Sequence, residues 1–358
     1  MTKRSCIRRF ATLLALVFCC SCIPQEQPGG EGSVSLVFSS ASLTRAVTPG
    51  NGTASDGGGI ARRTDDADKP DLWVFLVNND TETIAARYPG SALTDGTLST
   101  GFTALRDTVT FQGVAAGEYT VYAFANTEGL ALADSPNLAT LTTKTALDGL
   151  LFAVLTGDDE ISLGNSRLPL AATAPLSITE NHNGTANVEL LRCLAKITVE
   201  LINQTEETLS MPDHAGDPGL SVTLHNVNPN QGYVFAHDPD IPSGAYTAGP
   251  PKSCRNLVFE DHPSIASKDT LKISKYVFPC DTTHCGAFTA DVAFYLSADD
   301  ATYSYDGLQI LNYRAKPIPA LTRNQHLHLQ IRISRERRVS FNFRVLDWDD
   351  KTEYITFE

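Results

Sequence analysis

The clearest pattern of apolar and polar positions in this sequence lies mid-chain, from Asn187 to Leu201. From Leu191 onward every second residue is apolar or small, and Arg192 and Lys196 lie between them. An alternation of period two is typical of a strand with one buried and one solvated face. Four apolar residues would also share one face of a helix: Leu190, Leu194, Ile197 and Leu201. The β-branched run 197–199 favours the strand, and a second domain is expected to begin at this segment.

Similar patterns predict strands on both sides of this segment. Val34–Phe38 alternates, whereas Leu72–Val77 is continuously apolar, as in a central strand buried on both faces. A turn at Ala116–Gly117 joins Val109–Phe111 to Glu118–Asn126. The strands predicted after residue 187 lie at Val222–Leu224, Val292–Leu296, Leu327–Ile333, Val339–Val345 and Tyr354–Phe357.

One segment breaks the strand pattern. Its apolar residues fall at helical spacing: Leu147, Leu150, Leu151, Val154 and Leu155. Thr143 can cap such a helix and Gly157 can end it, so an amphipathic helix is predicted over 143–156.

Many short strands with turn-rich spacers predict an all-β protein with little helix, built as β-sandwiches. A length of 358 residues allows two domains, each with its own core. The predicted divisions fall at 46–186 and 187–358.

The charge excludes one class of partner. The formal net charge is −13, with 28 basic and 41 acidic residues. Four of the basic residues lie near the N-terminus, so the rest carries 24 − 41 = −17. Such a surface repels phosphate backbones, and no nucleic-acid partner is expected.

The N-terminus has the pattern of an export signal. A basic segment, Lys3–Arg9, precedes an apolar one, Phe10–Phe18, that is too short to span a bilayer. The following Cys19-Cys20-Ser21-Cys22 resembles a bacterial lipoprotein signal, with lipid attached to Cys22 because it follows a small residue. Residues 1–22 are then the signal peptide; an ordinary secretory signal is the alternative.

The stretch from Ala41 to Pro70 has no periodic pattern of apolar and polar positions. Arg45 and the pair Arg62-Arg63 lie in this stretch. They are either solvated charges on a loop or sites for an Arg-specific protease, because exposed loops are where nicking concentrates.

A search for catalytic or cofactor motifs finds none. His326 and His328 share one face of a strand and could bind a metal, but solvated imidazoles are the simpler interpretation. Asp347, Asp349 and Asp350 lack a spaced calcium loop. No enzyme activity, metal or cofactor is expected.

The later cysteines predict a disulfide. Cys280 and Cys285 bracket four residues in an exported chain, and a bond between them is expected. Cys254 is an alternative partner of either, and a zinc site would need two further ligands. Cys193 is expected to be a buried thiol.

Several separated motifs resemble those of the fimbrillins, a family of bacterial pilus subunits. The segment Phe111–Asn126 has a turn glycine, a tyrosine strand and a closing Ala-Asn. Arg167–Leu170 followed by Leu191–Lys196 resembles the family's crossing between domains. Leu321–Asn324 resembles its Arg-Asn element, and Val345–Trp348 its C-terminal tryptophan strand.

The resemblance implies an exported subunit of two tandem transthyretin-like antiparallel β-sandwiches. Such subunits travel as lipoproteins, lose their first strand to an Arg-specific protease and accept a strand from a neighbouring subunit. Cleavage between Arg45 and Ala46 would remove a propeptide, 23–45, and Arg63 is the alternative site. The implied location is a fimbrium at the cell surface or outer membrane. A tip or anchor subunit that stays lipidated is the alternative role.

Loss of 23–45 would expose unpaired backbone groups beside an apolar groove, which is a template for another strand. The alternating C-terminal segment 339–358 is the candidate donor. Its expected contact residues are Val345, Trp348, Tyr354, Ile355 and Phe357. Alternatively, both terminal strands only complete their own domains.

Two other functions remain open. A surface glycan-binding lipoprotein would display exposed aromatic residues, for which the candidates are Tyr303, Tyr305 and Tyr313. A secreted hydrolase would bring an acid, base or nucleophile together in a cleft.

Lipid attachment is directly testable. Cys22→Ala should abolish incorporation of labelled palmitate, because the preferred thiol is lost, whereas Cys19→Ala should keep it. Unchanged labelling of Cys22→Ala would move the site to Cys19 or Cys20.

Overall fold

The computed structural model describes residues 31–40, 71–89, 97–98, 106–153 (apart from 128–129 and 131), 161, 168–210 (apart from 181–182), 220–246, 254–259, 264–311 (apart from 297–298) and 316–347 (apart from 337). Strands dominate these residues, which confirms the predicted all-β class. The helices are short: α1 (Lys144–Asp148), α2 (Thr282–Cys285) and one 3₁₀ turn, Leu138–Thr140. None of the helices in this part of the chain is long and apolar enough to cross a membrane.

The first half of the chain forms one eight-stranded sheet with the order β3-β2-β6-β8-β9-β1-β5-β4. Its strands, together with the separate β7, are β1 (Glu31–Ser40), β2 (Leu72–Asn78), β3 (Ile84–Tyr88), β4 (Thr97–Leu98), β5 (Arg106–Ala115), β6 (Gly117–Ala125), β7 (Leu151–Ala153), β8 (Leu170–Ile178) and β9 (Asn183–Arg192). β8 and β9 pair at only two positions, so the sheet consists of two four-stranded parts joined at a corner. Buried residues from both parts belong to one core.

The second half contains β10 (Ala195–Asn203), β11 (Leu209–Ser210), β12 (Ser221–Asn228), β13 (Gln231–Tyr233), β14 (Arg255–Phe259), β15 (Ser264–Ile265), β16 (Thr270–Val277), β17 (Cys280–Asp281), β18 (Thr289–Leu296), β19 (Ala301–Gln309), β20 (Ala320–Leu321), β21 (Gln325–Ile333) and β22 (Val339–Asp347). One sheet has the order β16-β10-β21-β22, and the other has β14-β12-β18-β11-β15 with β19 also on β18. Both sheets contribute buried side chains to one core, as the alternating strands predict; examples are Val199, Leu329 and Phe294.

The central segment is two strands and not one. β9 ends at Arg192, the chain bends at Cys193-Leu194, and β10 begins at Ala195. Buried apolar positions are even before the bend and odd from Ala195 onward: Leu190 is buried, whereas Leu191 is 42% exposed. The predicted alternation is therefore correct from Ala195 and wrong at Leu191, because a bend changes which side chains face inward. β9 and β10 belong to different sheets.

A third core joins the two halves. Phe235, from the loop after β13, contacts Tyr122 and Phe124 of β6 edge-on, with ring centroids 4.8 and 5.8 Å apart. Cys193, Leu194 and residues of β16 and the following Phe278 belong to the same cluster. Apolar contact of this kind resists independent movement of the halves.

The predicted helix over 143–156 is wrong in length. Thr143 caps it as expected, its Oγ accepting from the Ala146 amide at 3.3 Å, but Gly149 ends it eight residues before Gly157. Residues 151–153 instead form β7, which pairs antiparallel with β13. A pairing with a distant strand has overridden the local helical spacing. Residues 154–156 lie outside the described part of the chain.

The predicted disulfide pairing is also wrong. Cys285, at the end of α2, is bonded to Cys254, and Cys280 is a free buried thiol. Cys280 lies in β17, where its Sγ is 3.6 Å from the carbonyl oxygen of Val227, so the strand directs it away from Cys285. Cys193 is a buried thiol as predicted, and burial raises its pKa to about 11.

Peptide mapping of the unreduced protein should recover a Cys254–Cys285 link, and Cys280→Ala should keep it. Because the bond closes a loop of sequence separation 31, Cys254→Ala should lower the free energy of unfolding by about 4 kcal/mol in chemical denaturation. A link between Cys280 and Cys285 would contradict this pairing.

Candidate functional site

The first described strand, β1, lies inside the sheet and not at its edge. It pairs antiparallel with β5, Leu36 opposite Val109, and parallel with β9, Leu36 opposite Ala186. We call the space that β1 occupies between β5 and β9 the β1 slot.

Three alternate side chains of β1 fill the core of the first half. Val34, Leu36 and Phe38 are 1%, 0% and 0% exposed, which confirms the strand predicted at Val34–Phe38. Ser35 faces the other way, and its Oγ is 2.9 Å from Oγ1 of Thr110 on β5. The slot therefore selects for an apolar side chain at every second position and tolerates small polar ones between.

Loss of β1 would affect both backbone and core. β5 and β9 would each lose a run of eight paired positions, and the core would lose three large side chains. Burying one such side chain is worth about 1.5–3 kcal/mol, and unpaired buried amides are costly. An emptied slot can thus be stabilised by another strand of the same pattern.

The C-terminal strand has a different position. β22 pairs with β21 at nine positions and is the edge strand of its sheet within the described residues. Val345 lies opposite Leu327 and is half-buried against the second core. The other expected donor residues, Trp348, Tyr354, Ile355 and Phe357, lie outside the described residues.

The remaining expected site residues also fall outside the described ranges: Cys22, Arg45, Ala46 and Arg63. Their roles stay predictions. In the sequence, residues 41–70 connect β1 to Asp71, just before β2, and this connecting segment contains Arg45 and Arg63.

Described residues contain no group of three His, Cys, Asp or Glu side chains that could hold a metal. His326 Nε2 lies 2.8 Å from Oγ1 of Thr198, and His328 Nε2 lies 2.9 Å from Oε2 of Glu200. The polar neighbours of both imidazoles are therefore protein groups on β10.

The aromatic platform expected of a glycan-binding protein is not formed by its described candidates. Tyr303 and Tyr305 stack on the buried Phe294, with centroids 5.4 and 6.2 Å away, and both are half-buried. Tyr313 lies outside the described residues.

Two side chains of the Leu321–Asn324 motif have contacts that sequence reasoning missed. Arg323 donates from Nε to Asp240 at 2.5 Å and from Nη1 to the Val234 carbonyl at 2.7 Å. Burial works against the charged form of Arg323, but the hydrogen bonds to Asp240 outweigh it and raise its pKa. Asn324 accepts from Nη1 of Arg192 at 2.8 Å. The resemblance of Leu321–Asn324 to a fimbrillin motif drew attention to these residues. It did not predict their hydrogen-bond partners, because those partners lie far away in the sequence.

Comparison with known proteins shows that this chain is similar in fold to several solved structures. No protein-family model matches the sequence, and no curated protein matches it. Among solved structures, the tip fimbrial protein Mfa3 of Porphyromonas gingivalis, solved with a C-terminal truncation, superposes with a TM-score of 0.53 at 13% identity, covering 88% of this chain and 100% of that one. This chain has the fold of fimbrial proteins.

Two further structures share this fimbrial fold. A fimbrilin, FimA, from Porphyromonas gingivalis W83 gives a TM-score of 0.51 at 11% identity and covers 88% of this chain and 97% of its own. A proposed cell adhesion protein from Bacteroides eggerthii gives 0.53 at 13% identity, with coverages of 90% and 97%. The resemblance to fimbrillins that the motifs predicted is confirmed at the level of the fold.

The contribution of β1 to the core can be measured in the intact chain. Leu36→Ala should lower the free energy of unfolding of the first half by about 2–4 kcal/mol, because it removes a fully buried side chain. Val37→Ala, on the half-buried face of the same strand, should cost less than about 1 kcal/mol. Urea unfolding followed by Trp73 fluorescence in a Trp348→Phe background gives both values. Equal costs would contradict the assigned inward face.

Proposed function

We propose that this chain is a structural subunit of a fimbrium that polymerises by donor-strand exchange. The observation that supports this most strongly is the position of β1. It fills the centre of a sheet with buried side chains, yet it is joined to the strands that follow only through residues 41–70, which contain Arg45 and Arg63.

Cleavage after Arg45 by an Arg-specific protease would leave β1 held by non-covalent contacts alone. A neighbouring subunit could then supply a strand that takes over both ladders and the three core positions. The new contact would be narrow but long-lived, because a strand in the slot must break pairings on both sides to leave.

The donor in this proposal is the C-terminal segment 339–358, with Val345, Trp348, Tyr354, Ile355 and Phe357 as contact residues. An edge strand such as β22 loses one ladder when it is released, whereas a central strand loses two. The end of the second half is therefore the less costly segment to donate.

The proposal includes two tandem transthyretin-like sandwiches that meet at Cys193-Leu194. Its support is that the strands before and after this bend have separate main cores. The subunit would reach the cell surface as a lipoprotein anchored in the outer membrane through Cys22. Cleavage after Arg45 would separate Cys22 and the propeptide 23–45 from the rest of the chain, which would then lose its anchor. A tip or anchor subunit would share this fold and keep the lipid.

The cleavage step is tested by Arg45→Ala. The variant should remain a folded, lipidated monomer, because its own β1 still fills the slot, and a heat-resistant ladder on a gel should be missing. Arg63→Ala is the matched control and should assemble like the parent. Polymers from uncut Arg45→Ala protein would contradict the mechanism, whereas loss of assembly only in Arg63→Ala would move the cut.

Truncation of 349–358 should also block assembly, but for the opposite reason: the slot can be emptied and the donor is damaged. A mixture of truncated and Arg45→Ala chains should stop at dimers in size-exclusion chromatography, since one partner can only accept and the other only donate. Longer polymers from this mixture would show that 349–358 is not the donor.

A further inference from the structure

β9 depends on β1 for nearly all of its backbone pairing. Residues 183–190 of β9 pair with Ser33–Ser40 of β1, whereas β8 reaches β9 only at Leu191 and Arg192. Within the described part of the chain, an emptied β1 slot would leave eight residues of β9 without a ladder partner. β9 forms one wall of the slot, and its backbone would then be paired only at one end, at Leu191 and Arg192.

Core packing alone does not set the register of such a strand. Val188 and Leu190 are buried and fix which face points inward. A slip of two residues along the strand keeps that face inward, because side chains repeat with period two. Directional contacts at one end can oppose the slip: the two paired positions with β8, and any hydrogen bond from a rigid neighbour that adds to them.

The end of β9 has such a contact, made by the second half. Nη1 of Arg192 donates to the side-chain Oδ1 of Asn324 at 2.8 Å, and the backbone amide of Asn324 donates to the Leu194 carbonyl at 3.1 Å. Arg192 is 5% exposed, so water competes little for this bond.

Asn324 is itself held in place. It has φ = 56°, a left-handed conformation that asparagine tolerates better than most residues. The preceding Arg323 is fixed by Asp240 and by three backbone carbonyls, those of Tyr233, Val234 and Phe235. The acceptor of the Arg192 bond is therefore a rigid part of the second half.

We infer that the Arg192–Asn324 contact is a clamp that holds β9 in register while the β1 slot is empty. Both residues position β9 for the acceptance of a new strand. Through Asn324, the second half of the chain thereby keeps the β1 slot of the first half ready to bind that strand. This inference rests on the proposed function only in that the slot empties during assembly.

The test empties the slot by mutation, in the full chain and without a protease. Leu36→Pro removes an amide from the centre of β1 and should displace the strand. Asn324→Gly removes only the clamping side chain, because glycine accepts positive φ without strain. Asn226→Gly is the matched control: Asn226 also has positive φ, 65°, and its side chain donates to a backbone carbonyl, that of Ala287.

Hydrogen exchange of the Leu191–Cys193 amides is the readout, because these residues keep partners outside β1: β8 and, for the Cys193 amide, the Pro169 carbonyl at 2.9 Å. In the Leu36→Pro chain, adding Asn324→Gly should speed exchange of these amides by about tenfold, the size expected for a hydrogen bond to a charged group. With β1 in place the same change should alter exchange by less than about twofold, because the ladder holds β9. Asn226→Gly should have no effect on β9 in either background.

Amides of β6, which does not border the slot, report whether the first half stays folded. If Leu36→Pro unprotects β6 as well, the comparison is made with Ser39→Pro, which removes an amide opposite Glu189 of β9 and leaves the buried side chains of β1 unchanged. An equal effect of Asn324→Gly with and without β1 would show a general structural role and overturn the clamp, as would no effect in either. Because cleavage and polymerisation are not used, failure of the proposed function leaves this result unchanged.

Discussion

Backbone hydrogen bonding around β1 constrains the whole first half of this protein. A strand at the centre of a sheet satisfies donors and acceptors on both neighbours. Among the described residues, its two neighbours here have few other partners: β9 has two further paired positions with β8, and β5 has two with β4. The sheet can be complete only if some strand occupies this slot. The sheet needs a strand of this pattern here but not this particular strand, and the proposed assembly by strand exchange rests on that difference.

The two ends of the described chain differ in the way that such assembly needs. β1 is central and inserts Val34, Leu36 and Phe38 into a core, whereas β22 lies at an edge with its half-buried Val345 against another core. Free edges are places where sheets take up or release strands, and central positions hold them. Within the described residues, the chain thus combines a strand that is paired on both sides with a strand that is paired on one side.

The halves of the molecule are not independent modules. Phe235 packs on β6, β7 pairs with β13, and Arg323 organises the loop that presents Phe235. His237 adds a hydrogen bond to the Asp148 carbonyl at 2.9 Å. The joint between the halves thus combines aromatic packing, strand pairing and hydrogen bonds.

The sequence alone determined the features that depend on neighbouring residues. Alternation identified β1, β6 and the strand after Ala195, the helix start was readable from Thr143, and the all-β class followed from many such segments. Only the tertiary structure decided the bend at Cys193-Leu194, the early end of α1, the partner of Cys285, and the contacts of Arg323 and Asn324. Each of these depends on groups far apart along the chain, from 31 residues for Cys254 and Cys285 to 132 for Arg192 and Asn324. Local periodicity reports which face of a strand is buried, but it carries no information about which distant residue will lie against it.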